Sequence, residues 1–157
     1  MDGAMETLLK KRWAFLDIEF IQTSPTHQCI RKVYILRDNG LADMEMEFCP
    51  CVKFKDLEKR YQRAFNFCQK RIHKLGYEPE LFAPECSTAK NKINEFIFDN
   101  GIELILYKGG TIERDLCEGE LFIPSLDIEC FPIEKTQSHD PRTVVEHYHS
   151  RITKMLK

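Results

Sequence analysis

Apolar residues run almost unbroken from Trp13 to Ile21, interrupted by Asp17 and Glu19 two positions apart. Side chains of an extended chain alternate between faces, so both carboxylates project from one side and Leu16, Ile18 and Phe20 from the other. The pattern predicts a first strand over residues 13–21 and a second over residues 30–36. Asp38-Asn39-Gly40 follows, and Asn-Gly signals a tight hairpin turn because both residues tolerate positive φ. A third strand is predicted from Leu41, where Met44, Met46 and Phe48 alternate with Asp43, Glu45 and Glu47 and leave one face wet.

The period then changes. Leu57, Tyr61, Ala64, Phe65, Cys68, Ile72 and Leu75 recur at three- and four-residue spacing, which predicts a helix over residues 54–75 with Gly76 as its C-cap. A second helix is expected to start at Ser87 or Thr88, bury Ile93, Phe96 and Ile97, and end at Asn100-Gly101. Residues 102–107 read as a short central, parallel strand. A Lys108-Gly109-Gly110-Thr111 turn leads into a helix over residues 112–118, and residues 121–131 are partly extended around Pro124. Pro141 opens a last helix with Val144, Val145, Tyr148, Ile152 and Met155 inward. The expected order is β-β-β-α-α-β-α-(β)-α, a single α/β domain over residues 1–157, with residues 1–5 left out of the fold.

Bulk properties narrow the class. At 43% hydrophobic and 31% charged, with no apolar run near the length of a membrane span, the chain reads as an ordinary globular protein with no membrane partner. Lys10, Lys11 and Arg12 interrupt any signal-peptide core, so an intracellular location, cytoplasmic or nuclear, is expected. Seven scattered cysteines suit reduced, packed thiols rather than a disulfide framework. The net charge is only −2, yet residues 53–77 hold eight basic against two acidic side chains. Lys59, Arg63, Lys70 and Lys74 share a stripe of the first long helix, beside Arg60 and Arg71. Such a stripe could follow a nucleic-acid backbone, and an ordinary solvated face is the alternative.

Paired acids on a buried-looking strand need a partner, and a divalent cation is the commonest useful one. Asp-x-Glu also occurs at Asp43/Glu45, Asp56/Glu58 and Asp127/Glu129, so the hydrophobic strand around Asp17 and Glu19 carries the distinction. The other reading of that pair is two surface acids. Lys108 and the Gly109-Gly110 turn could meet phosphate through backbone N–H groups, or form only a turn. Ser138-His139-Asp140-Pro141 also reads as a capped helix start. Cys49-Pro-Cys51 with Cys68 or His73 is too loosely spaced for zinc, and His147 and His149 diverge on a helix.

Three antiparallel strands opening on Asp17-Ile18-Glu19 come first. A parallel strand then runs through Leu104-Ile105-Leu106-Tyr107 and a glycine turn to Glu113, and His139-Asp140 follows late. This succession resembles the ribonuclease H-like DEDD 3′–5′ exonucleases of the DEDDh type. The string from Tyr107 to Cys117 also resembles a module carried by viruses and transposons. The resemblance implies a mixed sheet with an antiparallel three-strand start and helices on both faces. It implies two-metal hydrolysis of phosphodiesters in RNA or single-stranded DNA, with Mg²⁺ or Mn²⁺ as the cofactor. Asp17 would bridge both ions and Glu19 would bind one and orient the water. Glu113, or alternatively Asp115, would close the shell, with His139 as general base. The family's last acid falls five residues after His139, where this chain has Val144, and Asp140 or Glu146 would have to replace it. The alternatives are a catalytically inactive domain of the same fold that binds nucleic acid or a protein, and an unrelated α/β interaction domain whose acids are surface charge.

Overall fold

The computed structural model describes residues 2–73, 76–79 and 83–157. The acid-bearing apolar run forms strand β1 (Trp13–Ser24), the middle of a five-stranded sheet. On one side β1 pairs antiparallel with β2 (His27–Arg37), and β2 pairs antiparallel with β3 (Asp43–Glu47). On the other side lies β4 (Leu104–Tyr107), parallel to β1, followed by β5 (Ser125–Asp127), parallel to β4. The order is β3-β2-β1-β4-β5, and all four residues of β4 are buried. The chain is therefore an α/β protein with a mixed sheet whose first three strands are antiparallel.

Because β1 is central, both of its faces are covered, and its alternation divides them. Ala14, Leu16 and Ile18 pack with Val33, Ile35, Phe65 and Ile93 in one core, built against α2 (Lys59–Cys68) and α3 (Ala89–Asp99). Trp13 and Phe15 face the other core with Leu106, Val145, Tyr148 and Ile152, under α5 (Pro141–Met155). A register shift between Glu19 and Phe20 interrupts the alternation. Phe20, expected to continue the Leu16–Ile18 face, is 36% exposed, and Ile21 takes the inner position. One extra residue in a bulge turns every later side chain to the opposite face.

Three expectations are corrected. The first residues are not outside the fold: Asp2–Lys10 forms helix α1, and Leu8 enters the second core. The long helix over residues 54–75 is divided. Phe54–Asp56 forms a 3₁₀ turn and Leu57 and Glu58 are extended. Helix α2 then begins, and Gln69–His73 follows in a wider turn. The Gln62 amide donates to the carbonyls of Phe54 and Leu57, which stabilises the break. Lys74 and Leu75 lie outside the described residues. At Asp38-Asn39-Gly40 only Gly40 has positive φ (72°); the turn closes through Arg37 N–H to Ala42 O, with the Asn39 side chain accepting from Leu41 N–H. The last helix starts as expected, with Asp140 as N-cap and Pro141 in the first turn. Among the described residues no helix is long and apolar enough to cross a membrane.

Helix α1 supplies a direct check. Leu8 is 3% exposed and its neighbour Leu9 65%. Leu8→Ala should destabilise the protein by roughly 2–5 kcal/mol in urea unfolding, the usual range for a buried leucine. Leu9→Ala should change stability by less than about 0.5 kcal/mol. Equal effects would mean that α1 does not dock on the sheet.

Candidate functional site

Strands β1 and β4 stay in register for only three residue pairs, from Trp13↔Leu104 to Phe15↔Leu106. Beyond them β1 continues without a strand on that side. The chain leaves β4 through Gly109 and Gly110, at φ of 63° and 77°, and enters the short helix α4 (Ile112–Leu116). This delivers Glu113 to the vacated edge, where its Oε1 accepts the Ile18 N–H at 3.1 Å. A side-chain carboxylate thus replaces a ladder partner. Glu113 is 5% exposed, and Asp17 and Glu19 are half-buried.

Asp17 and Glu19 follow Trp13 and Phe15 on the face under α5, as the alternation predicts. At that end the N-cap of α5 presents Asp140. Asp140 accepts from Thr143 N–H at 3.1 Å and from Lys32 Nζ at 2.9 Å. Lys32 also reaches Glu45, at 3.8 Å. Val144, one helical turn after Asp140, is buried in the α5 core, so the nearby acid comes from the cap instead.

The carboxylates sense one another. Burial pushes Asp17 well above the ordinary range, and the Glu113, Glu19 and Asp140 charges add to the shift. Burial, then Glu113 and Asp140, raises Glu19 to about 7. Burial likewise raises Glu113 to about 7, against the backbone N–H groups that stabilise its charge and with help from Asp127. Asp140 differs: burial opposes its charge, but Lys32 and Thr143 hold it below the usual value. Among the described residues no cation pairs with Asp17, Glu19 or Glu113.

Other expected residues sit elsewhere. Asp115 is exposed and pairs with Arg114 at 3.5 Å, and Glu146 is exposed and pairs with Arg142 at 2.7 Å, so neither joins the cluster. His139 is exposed in the irregular segment before α5, next to Asp140. Lys108 is held by Glu129, which Lys135 also reaches, and the Gly109 N–H donates to Asp127 Oδ1 at 2.9 Å. Lys108 and the Gly109 N–H, both expected to meet phosphate, are thus engaged within the chain. Lys59, Arg63 and Lys70 are exposed on and just after α2, while Lys74 lies outside the described residues. Helix α2 and the free edge of β1 enclose a groove of about 360 Å³, which begins at Glu19 and runs past Phe20, Ala64 and Cys68.

Reading the sequence missed Lys32 and Asp127. Asp127 had a signal, since Leu-Asp-Ile-Glu occurs at both 16–19 and 126–129. It also missed the tightest ligand group. Among the described residues, His27, Cys29, Cys51 and Cys86 alone bring three or more potential metal donors within 4.8 Å of one another. Asp17, Glu19 and Glu113 do not form a donor group of that tightness. Cys49 does not pair with Cys51 as a ligand; its thiol donates to Ala83 O at 3.3 Å. No protein-family model matches the chain, and no curated protein matches it.

The raised pKa values make stability pH-dependent with a definite sign. Glu113 moves from 4.5 unfolded to about 7 folded, so the folded state binds its proton more tightly. Its favourable contribution is complete below about pH 4.5 and is lost as pH rises to about 7, a change of a few kcal/mol. Glu19 acts in the same sense over the same window. Thermal unfolding of metal-free protein should therefore show Tm falling between these pH values, and Glu113→Gln should flatten the slope. A Tm that climbs across that window would contradict the burial of these acids.

Proposed function

We propose that this chain is a ribonuclease H-like, divalent-metal-dependent nuclease acting at the 3′ ends of RNA or single-stranded DNA. The carrying observation is a set of three buried or half-buried carboxylates, Asp17, Glu19 and Glu113, with no cationic partner among the described residues. The strand order β3-β2-β1-β4-β5, with β2 alone reversed, agrees with that fold. Glu113 follows the carboxyl end of β4, the side of α/β sheets where ligands commonly bind, and meets Asp17 and Glu19 along the part of β1 that runs past β4.

The donor set fits a hard cation, since every side chain offered is a carboxylate. Asp17, Glu19 and Glu113 would hold Mg²⁺ or Mn²⁺, which when bound would lower the pKa of water and stabilise the leaving oxygen. His139, exposed beside Asp140, would be the residue to take a proton from the attacking water. Lys59, Arg63 and Lys70 attract the backbone by charge. Phe20, partly exposed in the groove that starts at Glu19, offers a ring on which a base can stack. One observation favours a second reading, a nucleic-acid-binding domain without catalysis: Asp140, one helical turn before Val144, is already paired with Lys32.

Degradation of a 3′-labelled and a 5′-labelled oligonucleotide with Mn²⁺ separates the two. Asp17→Asn should abolish cleavage and leave Tm equal or higher, because removing one clustered charge relieves repulsion. His139→Ala should retain weak activity. A wild-type protein that cleaves neither RNA nor DNA, yet binds them, would select the second reading.

Binding has its own test. Reversing Lys59, Arg63 and Lys70 to Glu should weaken oligonucleotide affinity and flatten its dependence on salt, with Tm unchanged. Unaltered affinity at low salt would return this stretch to an ordinary solvated face.

A further inference from the structure

We propose that His27, Cys29, Cys51 and Cys86 bind one Zn²⁺ ion. The four donor atoms all lie within 4.8 Å of one another. One imidazole and three thiolates make a complete tetrahedral set of the kind that structural zinc uses, with no position left for water. With Zn–S bonds of about 2.3 Å, tetrahedral ligand sulfurs stand about 3.8 Å apart, inside that span. Sulfur and imidazole donors favour zinc over the hard cations that carboxylates take.

The fold builds the set from three places. His27 and Cys29 are two apart at the start of β2 and so share a face. Cys51 lies in the segment after β3. Cys86 opens a 3₁₀ turn before α3. The last two segments are brought together by backbone bonds, Cys49 N–H to Pro84 O at 2.8 Å and Cys86 N–H to Cys49 O at 3.0 Å. Cys29 and Cys86 are 1% and 8% exposed, while His27 and Cys51 face outward, which leaves a path for the ion. Neither linking segment has much regular structure, so an ion here ties both to the sheet. Binding releases the three thiol protons, which ties the site's occupancy to pH.

The rival arrangement is a Cys29–Cys51 disulfide. Their sulfurs are 2.8 Å apart, closer than ligand sulfurs on zinc and longer than the roughly 2.05 Å of a disulfide. Both are free thiols in this structure.

The test uses the untagged full chain, purified under reducing conditions without chelator. Metal analysis should find one zinc per chain. Cys51→Ser and Cys86→Ser should lose it, Cys49→Ser and Cys130→Ser should keep it, and His27→Cys should keep it because four thiolates also suit zinc. Asp17→Asn should keep it too, which separates this site from the carboxylates. Should a serine variant aggregate, Co²⁺ titration of chelator-stripped wild-type protein decides, with the intense visible bands of tetrahedral thiolate cobalt expected. Wild-type protein without zinc or such bands would overturn the proposal. So would zinc retained in full by Cys51→Ser, or a Cys29–Cys51 disulfide in rapidly alkylated protein.

Discussion

The Ile18 amide is left without a strand partner where β4 turns away from β1, and the Glu113 carboxylate accepts it at 3.1 Å. A buried backbone N–H has to be paired, and here the pairing draws an acid into the interior beside Asp17. The bond itself favours the charged carboxylate, but the burial that comes with it raises the Glu113 pKa, and the Glu113 charge adds to the burial-driven rise of Asp17 and Glu19. The chain reaches this bond through the Gly109-Gly110 turn that precedes α4. A Cβ at Gly109 would come within 2.9 Å of the Glu129 carboxylate, and its φ of 63° disfavours any other residue.

The sheet separates two kinds of ligand chemistry. Carboxylates occupy the open end of the face under α5, where Asp140 arrives as a helix cap. The His/Cys group forms at the start of β2 with segments that adjoin the α3 core. The bulge after Glu19 marks the change: before it the odd residues of β1 face α5, and after it Ile21 points into the other core. Short of the bulge, Asp17 and Glu19 share a face with Trp13 and Phe15, so the acids continue a hydrophobic row rather than a surface one. That setting explains why this Asp-x-Glu differs electrostatically from Asp43 and Glu45. Asp43 and Glu45 lie on an edge strand and meet Tyr34, Lys32 and Arg142 near solvent.

Strand β1, the parallel buried β4 and the Asp140-Pro141 start of α5 were all legible, because alternation, apolar runs and capping act within a few residues. The break between Phe54 and α2 was not. It depends on Gln62 satisfying two carbonyls, while the apolar spacing on either side reads as continuous helix. Helix α1 was overlooked because Leu8 matters only once the sheet gives it a surface.

Local physics in the chain is enough to set which residues alternate, where helices can start and that Asp17 and Glu19 share a face. It could not choose Glu113 over Asp115, since both sit in the first turn of α4 and only the vacated edge of β1 distinguishes them. Nor could it bring Asp140 to Asp17, pair Lys32 with Asp140, or gather ligands from positions 27, 29, 51 and 86. Those juxtapositions arise from strand order and from loops crossing the sheet, where proximity is set by packing between segments far apart in sequence.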